Sequence, residues 1–293
     1  MLNKLFLLYH TIKYLKFKQI VWRIYSYFPQ LKFGVKQFPK EKSIKFESII
    51  KTGITLDYDS FTFLNESHQL KIVGWDNTRL SKLWRYNLHY FDFLNQDTPS
   101  VDSLENQKKI IINWIEENPF GKGTGWEPYP TSIRIINWIK WHYKTSALTD
   151  LAKLSLWNQI RWLSGRPEYH LLGNHLFMNA KAMLFGSAFF SLSEKSSVYR
   201  KALKILKIEL DEQFLKDGAH FELSPMYHSL AMEDLLDIYQ LAPALPNSFP
   251  KEKVMKKYSL GMKWLSLMIY DNEEFAHFND CANGIALKFK EFF

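Results

Sequence analysis

From about residue 79 to the end of the chain, apolar residues recur at helical spacing in one block after another, separated by short turns carrying Gly, Pro, Asn or Asp. The run SKLWRYNLHYFDFL sets Leu83, Tyr86, Tyr90 and Phe93 along one helical stripe. Further helices are expected at about 101–117, 130–145, 148–164, 170–192, 197–216, 225–242 and 252–270. Amphipathic helices joined this tightly pack as antiparallel hairpins, because each buries its stripe against a neighbour that the short turn keeps close. No tight repeat runs through the blocks, which argues against a regular solenoid. The expected class is all-α.

Upstream the character differs. One helix is expected over about residues 4–27. Residues 29–78 then carry Pro29, Gly34, Pro39, Gly53 and Gly74 with the short alternating runs SIKFESI and SFTFL, which predict an irregular stretch with a small strand pair near residues 40–75. The chain is accordingly expected to divide into 1–78 and 79–293.

Hydrophobic residues make up 46% of the 293, enough for a folded chain with a real core. The formal charge of +8 favours polyanionic partners. No basic stretch is dense enough for a nucleic-acid arm and no groove-reading helix motif is present; uronate-containing glycans are the other class of polyanion, and charge alone does not choose between the two. Aromatics reach 16%, and rings beyond the needs of a core often line sugar-binding surfaces; the plainer reading is a helical core built from Trp and Phe. A single cysteine, Cys281, excludes an intramolecular disulfide and a cysteine-based metal site. No metal or cofactor is expected. The start of the chain has only the short apolar run LFLL before Tyr9 and His10, so no secretory signal is read there. No segment approaches the roughly 20 apolar residues of a membrane span. Localisation is left open.

Three segments set unusual polar residues in apolar helical surroundings. In GRPEYHLLGNHLFMNAKAML, His170 and Asn174 are four apart, as are His175 and Asn179. Buried imidazoles and amides cost roughly 1–3 kcal/mol each unless hydrogen-bonded, so these residues either tie helix ends together or form a site. In DGAHFELSPMYHSLAMEDLL, Ser224 and Pro225 form a helix-start signal that places Tyr227 and His228 in the first turn. The partial positive charge there favours anions and would lower the pKa of a tyrosine. In WEPYPTSIRIINWIKWH, Arg134, Trp138 and Trp141 share helical spacing, an arrangement that suits either an anionic sugar or a cation–π stack of no functional consequence. The stretch GKGTG lacks the rest of a phosphate loop. A glycosidase would need two facing carboxylates. Glu222, Glu233, Asp234 and Asp237 are available, but the last three read as a solvated helix face.

The runs WRYNLHYFDFL, WEPYPTSIRIINWIKW, GNHLFMNAKAML, DGAHFELSPMYHSLAMEDLLDIYQL and FNDCANGIA together resemble the heparinase II/III-like polysaccharide lyases, best those encoded among capsule or surface-polysaccharide genes. The resemblance covers about residues 80–290. It implies an incomplete (α/α) toroid of helical hairpins, normally followed by a C-terminal β-sandwich, and cleavage of a uronate-containing polymer by β-elimination. By resemblance, Asn174 neutralises the uronate carboxylate with His175 beside it, and Tyr227 transfers the proton, chiefly as the acid toward the leaving oxygen. His228, Arg134, Trp138, His170 and Asn179 are then candidates for binding or orienting the sugar. Two departures stand out: Cys281 and Asn283 occupy positions where Ser and Asp are expected, and the sequence stops at Phe293, where the sandwich would begin. A separate C-terminal β-sandwich polypeptide would be the matching partner. The competing readings are a glycan-binding protein of a capsule or lipopolysaccharide locus without catalysis, and a helical-toroid glycoside hydrolase.

Overall fold

The computed structural model describes residues 6, 10, 13–27, 34–47, 56–57, 60–95 and 101–293; ten α-helices and one small sheet are the main elements among the described residues. Helix α1 is Phe17–Tyr27. An antiparallel sheet follows in the order β1 (Leu56–Asp57), β2 (Ser60–Phe63) and β3 (Glu66–Gln69), with Phe61 paired to His68. Then come α2 (Leu70–Val73), α3 (Lys82–Tyr90), α4 (Val101–Glu117) and α5 (Pro128–Thr145). The series ends with α6 (Asp150–Ser164), α7 (Gly173–Phe189), α8 (Ser197–Gln213), α9 (Pro225–Gln240) and α10 (Lys251–Ser266). Successive helices lie against one another: α5 on α6, α7 on α8, α9 on α10. The chain is an incomplete (α/α) toroid of helical hairpins, as the periodicity and the resemblance imply together.

Helix starts follow local capping chemistry. Ser81 accepts from Trp84 N–H at 3.1 Å, Thr149 from Ala152 N–H at 3.3 Å and Ser224 from Tyr227 N–H at 3.4 Å, each satisfying a donor that the first turn leaves open. Pro128 and Pro225 open α5 and α9, where a missing N–H costs nothing. Helix α7 is buried from Leu176 to Phe189 except at Met178, as an almost wholly apolar helix must be, and packs between α5 and α8.

Seven of the ten tryptophans are core. Trp84, Trp114 and Trp138 are fully buried, and Trp114 and Trp138 meet edge to face at 5.7 Å. Phe91 adds an edge contact to Trp138 at 5.5 Å. Burying such a ring contributes a few kcal/mol, so this cluster is a principal source of stability around the α3–α5 hairpins.

The upstream expectations need correction at two places. The single helix expected over 4–27 is interrupted by a turn at residues 13–16, where Lys16 N–H donates to Gln19 Oε1; the run LFLL lies, apart from Phe6, outside the described residues. The run SIKFESI forms no strand over residues 43–47. It lies across the helices instead: Lys42 N–H donates to Phe189 O, Glu47 N–H donates to Gln240 Oε1, and the Phe46 ring packs on Phe185 at 5.5 Å. The helices offer it an apolar seat that outweighs pairing with a neighbouring strand.

Candidate functional site

A cavity of about 290 Å³ opens where α3, α5, α7 and α9 converge. Asn174, in the first turn of α7, and Tyr227, in the first turn of α9, both line it. Tyr90, Tyr129 and Asn137 form one wall, Phe177 and Leu230 are apolar surface, and Ile285 from the C-terminal segment closes one side. That segment is pinned to the start of α9: Ser224 Oγ donates to Asp280 O at 2.7 Å and Ser229 Oγ to Leu287 O at 2.6 Å. Two helix N-termini thus bring their partial positive charge to one cavity beside an amide and a phenol.

Tyr227 is not activated in the sense expected from its place in the first turn. Partial burial raises its pKa, and the Asp280 and Glu222 carboxylates add to the rise, so its phenol keeps its proton. Burial first, and the nearby anions after it, outweigh the helix dipole.

His175 follows Asn174 on α7, its ring packed at 4.4 Å on Tyr129, which lines the cavity, and its Nδ1 3.3 Å from Glu168 Oε1. His170 does not share a helical face with Asn174. It precedes the helix, in a turn where Leu172 and Gly173 take positive φ (64° and 55°) and Glu168 O accepts the Leu172 N–H. Asn179 is fully buried, its amide spent on Glu168 and Ser132, so it holds the site's framework and does not reach a ligand.

Three further expectations are overturned. Arg134 is fully buried, stacked on Trp114 at 3.8 Å rather than on Trp138 or Trp141, with its guanidinium donating to Gln159 Oε1, His89 O and Thr131 Oγ1. Trp138 is fully buried in the aromatic core. His228 is fully buried as well: its Nδ1 accepts the His220 N–H at 3.0 Å and its Nε2 donates to Gly261 O at 2.9 Å. Burial pushes its pKa down to about 4, leaving a neutral, fixed imidazole that ties α9 to α10. In each case the helical stripe bearing the polar residue faces the core, where it is satisfied internally.

The sequence reading missed the floor of the cavity. Glu233, Asp234 and Asp237 are no solvated face: Glu233 and Asp237 are 5% and 1% exposed. Lys140 Nζ lies 2.6 Å from Asp237 Oδ2, and Lys181 Nζ lies 2.5 Å from that same oxygen and 2.6 Å from Asp234 Oδ1. This network binds α5, α7 and α9 together, and Lys140, Lys181 and Asp234 line the same cavity as Asn174 and Tyr227. A lysine inside each apolar run, NWIKW and NAKAML, was the available signal, since a buried ammonium demands a carboxylate. Also missed was His220, which lines the cavity with Nε2 bonded to Gln213 Oε1; burial and the neighbouring His228 push its pKa down to about 4. Among the described residues no group of three or more His, Cys, Asp or Glu is placed to hold a metal, and no helix is long and apolar enough to cross a membrane.

Comparison with known proteins matches residues 68–290 to the family model described as the heparinase II/III N-terminus. A heparin-sulfate lyase of Bacteroides stercoris is 33% identical over 91 residues, covering 29% of this chain and 13% of that protein. A heparin-sulfate lyase of Pedobacter heparinus is 27% identical over 174 residues, covering 54% of this chain and 26% of that protein. Among solved structures, heparan sulfate lyase HepC from Pedobacter heparinus superposes with a TM-score of 0.55 at 18% identity, over 76% of this chain and 39% of that one. The matched stretch is thus about a quarter or less of either curated relative.

Proposed function

The chain belongs to the heparinase II/III family, and from that premise we propose that it carries the helical part of a lyase site that cleaves a uronate-containing polysaccharide by β-elimination. The observation that carries the proposal is the meeting of Asn174 and Tyr227 in one cavity, each from the first turn of its helix. The C5 proton of a uronate is too weakly acidic to leave while the adjacent carboxylate keeps its full charge. Asn174, at the positive end of α7, is placed to hydrogen-bond that carboxylate and let negative charge spread onto it as the proton departs. Tyr227, held protonated, gives its proton to the glycosidic oxygen as the C4–O bond breaks and the C4–C5 double bond forms. His175, next to Asn174 on α7 and packed on Tyr129 of the cavity wall, receives the proton leaving C5 in this reading. A C-terminal β-sandwich, in the same or a separate polypeptide, would add a further proton-transfer group from the open side.

The curated relatives are named for heparin-sulfate and the solved structure for heparan sulfate; for this chain the proposal is the wider class of acidic polysaccharides, surface and capsule polymers included. The test is ultraviolet detection of the unsaturated uronate product across a panel of heparan sulfate, alginate and bacterial surface polymers, with Tyr227→Phe and Asn174→Ala alongside. A signal that Tyr227→Phe lowers by about 10²–10⁴-fold supports the assignment. Binding without product from the wild-type chain would instead establish a glycan-binding protein.

A further inference from the structure

We propose that Glu168 is a positioning residue for His175, keeping the ring proton on Nδ1 and turning Nε2 outward as the proton-accepting atom. Only the catalytic consequence rests on the lyase reading; the protonation pattern follows from the hydrogen bonds alone. Glu168 is 6% exposed in the turn before α7, and a carboxylate so deep needs donors around it. Its own main-chain N–H donates to Asn179 Oδ1 at 2.7 Å, which fixes the oxygen end of that amide. Asn179 Nδ2 therefore donates, to Glu168 Oε2 at 3.1 Å and to Ser132 Oγ at 3.0 Å. Ser132 has already committed its proton to Pro128 O, at 2.8 Å, so it can only accept. Glu168 Oε1 is left facing His175 Nδ1 at 3.3 Å. A carboxylate accepts and never donates, so Nδ1 carries the hydrogen and Nε2 the lone pair. Tyr129, which lines the cavity with Asn174, packs on the imidazole and holds its plane.

The substitution Glu168→Gln is predicted to invert this pattern. Asn179 still presents an N–H, because the backbone fixes its orientation, so the new amide must turn its oxygen toward Asn179 and its NH₂ toward His175. Nδ1 must then accept and the ring proton moves to Nε2. Histidine-selective ¹⁵N spectra of the full chain at pH 8, assigned with His175→Gln, read the tautomer directly. The expected result is a proton on Nδ1 in the wild type and in Glu168→Asp, and on Nε2 in Glu168→Gln. A wild-type ring protonated on Nε2, or a Gln variant that keeps Nδ1–H, overturns the proposal. Should the Gln variant fail to fold, the wild-type and Asp spectra still decide it. On a cleavable polymer, kcat of the Gln variant should fall roughly 10- to 100-fold, the worth of one hydrogen bond to a charged group, with KM within about threefold. A switched tautomer with unchanged kcat would refute the positioning role. Absence of product from the wild type would sink the lyase reading while the spectra still settle the Glu168–His175 pair.

Discussion

Replacing Lys181 with methionine removes one cation from the charged floor while keeping most of the side-chain volume. In the wild type its ammonium contacts Asp234 at 2.6 Å and Asp237 at 2.5 Å with the side chain 4% exposed, and Lys140 contacts Asp237 from the other side at 2.6 Å. Burial alone would raise the Asp237 carboxyl, but the Lys140 and Lys181 ammonium groups outweigh it and hold its pKa below the usual range. Burial likewise opposes the charge on Lys181, and Asp234 and Asp237 outweigh it in turn. Deleting one partner of a buried pair costs about 3–5 kcal/mol, because the other charge is stranded. At about 2–4 °C per kcal/mol for a large domain, the melting midpoint should fall by roughly 6–20 °C in circular-dichroism melts at pH 7. Adding Asp234→Asn leaves Lys140 and Asp237 as a one-to-one pair and should restore about half of the loss. The sign of the pH dependence follows from Asp237. Its folded pKa is depressed, so its stabilisation is complete above the unfolded value near ~3.9 and is lost as pH falls through the folded value. The gap between wild type and Lys181→Met should therefore hold steady from about pH 5 to 8 and narrow progressively as pH falls below about 4. A gap under about 1 kcal/mol at pH 7, or one that persists unchanged at pH 3, would refute a charge-held floor.

Arg134→Met should destabilise the fold by about 3 kcal/mol by stranding its buried acceptors, while the KM of the folded fraction for any cleaved polymer stays at the wild-type value; a selective rise in KM would return Arg134 to the binding site. Gly218→Ala should be severely destabilising, because φ is +99° and a Cβ would meet Leu260 O at 2.4 Å; an unchanged urea midpoint would contradict that packing. His220 and His228, both held near pKa 4 by burial, keep stability that is complete above the unfolded value near ~6.5 and is lost as pH falls from there toward about 4. Urea midpoints should drop across that window, and His228→Gln should flatten the fall.

Helix order was legible because burial in this chain is arranged by stripe: α4 and α9 begin where the periodicity and the Ser-Pro start signal place them, at Val101 and Pro225. Boundaries slipped where the backbone turns left-handed. The helix expected from residue 170 starts at Gly173, because positive φ at Leu172 and Gly173 is a tertiary arrangement that lets Glu168 and Asn179 close on each other. SIKFESI misled for a related reason, since alternation describes any extended segment with one buried face, whether its partner is a strand or a helix.

The site divides along the same line. Asn174 and Tyr227, which line one cavity, could be singled out because each sits in a helix start, a feature written in adjacent residues. Arg134, Trp138 and His228 misled because spacing gives the angle of a side chain on its helix and not which flank faces the core; the structure answers with Trp114 stacked on Arg134 and Gly261 O on His228. The groups that were missed, Glu168 and the lysine–aspartate floor, act only through partners on other elements, 53 residues away for Lys181 and Asp234. No local pattern encodes such a pair, yet each half breaks a local rule: a charged residue inside an apolar run costs several kcal/mol unless it is answered. In a helical toroid an internal lysine is therefore a request for a carboxylate on a facing helix. For this chain that request, made by Lys140 and Lys181, is met beside the two residues proposed to carry the chemistry.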